Sequence, residues 1–196
     1  MDRPRDDTLT LPADIAVGLL TGLVATRAYG LAQKALARPM PEGVKEHEDR
    51  VRPEPTSRVA ARKVAEGLGY SLDDRQLGLA AAAVHYGLGL AWGPVYGLLR
   101  RHGRMRPLAA AFTTGAAMSL VVDETLVPAL GLSPPNRAFP AVTHLRGFLN
   151  HLAYGAAVAL TAEAAYRLTG TTPDHAGAAP VQEPAGRPAK SRFRAR

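Results

Sequence analysis

Five titratable side chains stand inside otherwise apolar stretches of this 196-residue chain: His85, Asp123, Glu124, His144 and His151. Arg27 and Arg146 share those stretches. Groups of these types can relay protons near neutral pH, hold a cation, or lock helices together through ion pairs. The chain has no cysteine, which removes disulfides, thiolate metal sites and a cysteine nucleophile. It also shows no Walker A sequence, dinucleotide fingerprint, nucleophile elbow or HExxH pair.

The elements that must position these groups are apolar runs. The central one, 77–99, has no formally charged side chain and is long enough for a helix to cross a ~30 Å hydrocarbon core. Arg75 closes one end, and Arg100, Arg101, Arg104 and Arg106 close the other. Within it His85, Gly89, Gly93 and Gly97 recur every fourth residue and so share a face that lets a neighbouring helix approach closely. Pro94 removes one backbone hydrogen bond and is a candidate kink. Three further spans are expected at 15–31, 108–132 and 141–168. The first carries Asp14, Gly18, Gly22, Thr26 and Gly30 on one stripe, with Arg27 either snorkelling or paired to an acid on another helix. The third carries Gly115, Ser119 and Asp123, and Pro128 is expected to break it. The fourth carries Gly147, His151, Gly155, Ala159 and Glu163.

Polar segments surround these runs. Residues 1–14 mix aspartate with arginine, a poor signal-peptide start. The segment 34–75 begins as a charged, proline-rich loop, where His47 reads as solvated. It then forms a short amphipathic surface helix over 58–68, ended by Gly69. Asp73 and Gln76 are spaced as a capping pair for the next helix. Residues 169–196 are rich in Pro, Ala and Gly, end basic, and are expected to be disordered, with His175 solvated. The net charge of +7 lies mostly at run ends and in this tail, which fits membrane-flanking arginine rather than a nucleic-acid partner.

The expected fold is therefore all-α, a polytopic bundle of four transmembrane helices plus one surface helix, in contact with the lipid bilayer. The arginine-rich link after the second span places both termini in the cytoplasm. Because successive spans alternate in direction, Arg27, His85, Asp123, Glu124, His144, Arg146 and His151 all fall in one half of the bundle, on the side of the 133–140 turn. Three readings of that cluster stand. The first is structural or partner-binding, with the polar pairs orienting helices. The second is a small transporter or proton-conducting protein, working as a homo-oligomer because four helices are few. The third is a divalent-metal site on His85, Asp123 and His151; otherwise no cofactor, and no catalytic residue, is indicated.

The segments VAEGLGYSLDD, HYGLGLAWGPVYG, DETLVPALGLSPP and FPAVTHLRGFLNHLAYG resemble the YagU family of bacterial inner-membrane proteins, over about 58–167. The most specific pieces are His85-Tyr86, VPALGLSPP, and His151 with Tyr154-Gly155. The resemblance implies a small multi-helix protein of the bacterial plasma membrane, supports His85, Asp123 and His151 as a set, and brings no assigned reaction.

Overall fold

The computed structural model describes residues 7–173 and contains helices and turns, with no strand among the described residues. Helix α1 runs Asp7–Ala37, α2 Glu42–Val51, α3 Thr56–Gly67 and α4 Asp74–Arg101. Then α5 (Pro107–Met118), a π-helical segment (Ser119–Leu126) and α6 (Val127–Ala129) continue one another as a single rod. A one-turn 3-10 helix precedes α7, Ala141–Thr169. The expected disorder of the tail, and His175, lie outside the described residues.

The long helices form where the apolar runs were read, and their ends follow local chemistry. Asp73 accepts a hydrogen bond from the Gln76 amide (2.8 Å) while the Gln76 side chain accepts one from the Asp73 amide (3.0 Å), the capping box that starts α4. Gly69, with φ 80°, turns the chain out of α3, where the Tyr70 amide returns to the Ala65 carbonyl at 2.9 Å. Helix α4 continues through Pro94, and the rod continues through Pro128 to Ala129 rather than breaking there.

One expectation of the fold needs correcting. The proline-rich loop contains α2, ten residues long, because tertiary contacts described below hold it. Of the four expected spans, two among the described residues, within Pro12–Ala37 and Pro107–Ala129, are both long and apolar enough to cross a membrane by length and composition, with mean hydropathy 1.5 and 1.2. Helix α4 has ample length, but its glycines, His85, Tyr86, Trp92, Pro94 and Tyr96 dilute its hydropathy. Helix α7 carries His144, Arg146, Asn150, His151, Glu163 and Arg167.

Glycines join the helices in pairs. A Cβ added to Gly22 would lie 2.6 Å from the Gly89 carbonyl oxygen and 3.1 Å from Leu90 Cα, and one on Gly93 would strike the Gly18 carbonyl. The α1 and α4 backbones are thus in direct contact. Between α5 and α7, Gly115 faces the His151 carbonyl and Leu152 Cα (3.0 Å), and Gly155 faces the Ala111 carbonyl. Where α1 meets α7 the core is instead built from side chains, among them Ala25, Tyr154, Val158 and Tyr166.

Candidate ligand chamber

At the end of the bundle beside the 133–140 turn the helices leave an open-mouthed cavity of about 970 Å³. Tyr29 lines it from α1, His85 from α4, Asp123 and Glu124 from the π segment, and His144 and His151 from α7. Six of the seven residues expected in one half of the bundle line this cavity: His85, Asp123, Glu124, His144, Arg146 and His151. Arg27 is outside: its guanidinium stacks on Tyr86, 5.2 Å from the ring centroid, rather than on an acid.

The two acids sit side by side on the wall because the chain there is π-helical. Pro128 has no N–H to return to the preceding turn, and the Asn136 side chain donates to the Glu124 carbonyl (2.9 Å) in compensation. Their side chains then part. Glu124 Oε1 is 2.8 Å from His144 Nδ1, and His144 Nε2 donates to the Asn136 carbonyl at 3.0 Å. Both ring nitrogens face acceptors, so this pair holds one proton between imidazole and carboxylate. Asp123 Oδ2 lies 3.5 Å from His151 Nδ1, but that nitrogen donates to the Gly147 carbonyl at 2.9 Å. The His151 ring is buried and meets Tyr29 edge-on, centroids 5.0 Å apart, and Tyr29 in turn is 6.1 Å from His85.

The mouth is covered by α2 and α3. Glu48 of α2 accepts from the Thr143 hydroxyl (2.5 Å) and from Arg146 (2.6 Å), so Arg146 is paired with α2 and not with Asp123 or Glu124. Burial alone would raise the Glu48 pKa, but the hydrogen bonds from Thr143 and Arg146 and the Arg146 charge outweigh it and hold the carboxyl below its ordinary value. His47, expected to be solvated, donates from Nε2 to the Ala138 carbonyl at 2.8 Å. Arg52 stacks on Phe139 (5.4 Å) and Lys63 of α3 donates to the Leu130 carbonyl (3.0 Å). These contacts explain why a segment with a loop's composition is helical. A charged run cannot reveal partners some ninety residues away, such as Thr143 for Glu48 (95 residues).

Metal ligation is not assembled. Among the described residues no group of three or more His, Asp or Glu side chains is placed to hold a metal ion, so His85, Asp123 and His151 line one wall without forming a ligand set.

The opposite end of the bundle is closed. Arg100, wholly buried, donates from Nε to Glu163 Oε1 (2.5 Å) and from Nη1 to the Met105 carbonyl (2.7 Å), while the Tyr96 hydroxyl donates to the same Glu163 oxygen (2.9 Å). Arg101 grips Asp14 with two nitrogens and also donates to the Thr171 carbonyl (3.2 Å). In sequence these arginines are only flanking charges; they are structural ties between α4 and both α1 and α7.

No family model, curated protein or solved structure matches this chain.

Proposed function

We propose that the chain is a multi-pass membrane protein, related to the YagU-like pattern, whose four long helices all cross the bilayer around a chamber that receives a small solute. The observation that carries the solute reading is the contrast in packing. Glycine brings α1 onto α4 and α5 onto α7 backbone to backbone, yet between the two pairs, beside His85 and Asp123, the helices leave about 970 Å³. Polar pairs that merely fasten helices need no such space.

The membrane reading is supported by the outer surface. Leu20 and Leu31 of α1, Leu79 of α4, Leu108 of α5 and Leu160 and Leu168 of α7 are all exposed. The apolar window of α1 is only 28% buried, whereas the core helix of a water-soluble domain is mostly enclosed. Exposed Arg104 and Arg106 in the link favour cytoplasmic termini and an inner-membrane location, while Arg100 and Arg101 contribute less because they are held in ion pairs.

The absence of native cysteine makes the test direct. His102→Cys and Arg137→Cys each introduce one thiol, and a membrane-impermeant maleimide is applied to intact and to permeabilised cells. Four spans predict that the two sites label from opposite faces. Labelling from the same face, or release of the protein from membranes by alkaline carbonate, overturns the reading.

A second reading, helix fastening alone, is favoured by Glu124–His144 and Glu48–Arg146, which satisfy one another without any ligand.

A further inference from the structure

The solute chamber holds hydrogen-bond acceptors that have no donor among the described residues. Asp123 forms no hydrogen bond among the described residues, and 39% of its side chain is exposed. The Oδ1 atom of Asn150, a wall residue only 2% exposed, is buried without a partner. His151 donates its Nδ1 proton to the Gly147 carbonyl and not to Asp123. Several donors nearby are already committed. Thr26 donates to the Gly22 carbonyl (2.7 Å) and Tyr154 to the Gly89 carbonyl (2.5 Å). Arg146 is engaged by Glu48, and His144 by Glu124 and Asn136.

The wall also has the wrong charge balance for an anion. Glu124 and Glu48 have basic partners, and Glu54 is paired with Arg58 and Arg62. The lining carries four carboxylates, Asp49, Glu54, Asp123 and Glu124, against the two guanidinium groups of Arg52 and Arg146, and the His151 proton beside Asp123 points to a carbonyl. The Tyr29 ring beside it suits a cation. The rest of the lining includes Val84, Leu88, Met118, Val122 and Leu126, an apolar surface that a purely hydrophilic ion would leave unmatched.

Resting on the solute-chamber reading above, we propose that the occupant is a primary ammonium group carried on an apolar body, its N–H bonds directed at Asp123 and Asn150. Either a free lipophilic amine or the head of an aminophospholipid has this chemistry.

The test is equilibrium binding to the full chain in nanodiscs of phosphatidylcholine, with phenethylammonium as the probe beside three relatives: its N-trimethyl derivative, 2-phenylethanol and 3-phenylpropionate. The expected result is saturable binding of phenethylammonium, at least tenfold weaker binding of each relative, and a loss of tenfold or more in Asp123→Asn for the ammonium alone. The set of four ligands on the unaltered chain decides the matter even if the variant fails to fold. Equal binding of the trimethyl compound overturns the role of N–H donors, and tighter binding of the carboxylate overturns the charge assignment. In both cases the chamber reading survives. No saturable binding by any of the four overturns the chamber reading with it. Repeating the titration in phosphatidylethanolamine nanodiscs separates the sources. Displacement of the bound probe identifies the lipid head group as occupant, and unchanged affinity identifies a free amine; both support the ammonium chemistry.

Discussion

Arg100 Nε lies 2.5 Å from Glu163 Oε1, joining a wholly buried guanidinium on α4 to a carboxylate on α7 at the end of the bundle away from the chamber. The bond closes a separation of 63 residues in sequence. Removing one partner of a buried ion pair typically costs about 3–5 kcal/mol, whereas replacing both with apolar groups of similar volume is often neutral. Glu163→Gln is therefore expected to lower the thermal midpoint in detergent micelles sharply. Arg100→Met with Glu163→Leu should recover most of the loss. A single variant as stable as the parent, followed by size exclusion during heating, would contradict this account.

The glycine contacts predict opposite outcomes for the same chemical change. Gly93→Ala places a methyl group against the Gly18 carbonyl and 3.0 Å from Gly22 Cα, both backbone atoms that cannot swing aside. Overpacking of that kind costs about 1–3 kcal/mol. Gly87→Ala, on the same helix, meets nothing within 4 Å. There the gain in helix propensity, about 0.5–1 kcal/mol, should raise stability slightly. Parallel melts of the two variants check the sign.

The lid over the chamber is expected to be sensitive to acid. The Glu48 carboxyl has a folded pKa below its reference value of 4.5, so the docking it provides is fully present above that value. It is lost as pH falls through the lowered folded value. The protection of α2 amides, taken relative to the intrinsic exchange rate at each pH, should be high at neutral pH and fall under acid conditions. Glu48→Gln should be weakly protected at every pH, because a neutral amide no longer anchors Arg146. Hydrogen bonds to charged groups contribute about 1.5–3 kcal/mol each, which sets the scale of the change.

Chelation should leave the fold untouched. His85, Asp123 and His151 are not brought together with the geometry a divalent ion needs, and no other described group of acids and histidines is either. The thermal midpoint with and without EDTA is expected to coincide, and His85→Ala should not alter the metal content of purified protein.

How much of this was legible in sequence varies with the range of the interaction. The apolar runs and the four-residue glycine period are local signals, and they located the long helices and the faces on which Gly22 meets Gly89 and Gly115 meets His151. Placing His85, Asp123, Glu124, His144 and His151 in one half of the bundle needed only alternating direction and the rise per residue. Partner identity was a different matter. Asp14 binds Arg101 across 87 residues and Glu48 binds Arg146 across 98, and neither position carries a mark of its partner. The π segment had one faint signal, a proline four residues after an acid in an apolar run, and that signal was read as a break.

The pattern of glycines has a mechanical meaning as well. Helices α1 and α4 touch through their backbones, as do α5 and α7, so each pair has little freedom to shear internally. The boundary between the pairs is made of tyrosine, alanine and valine side chains and is pinned at the end away from the chamber by the Arg100–Glu163 ion pair. The molecule is thus two stiff slabs joined along one seam. Tyr29 and His85 belong to one slab, and Asp123, Asn150 and His151 to the other. The chamber lies on the seam itself, where a small relative displacement of the slabs changes its width without bending a helix.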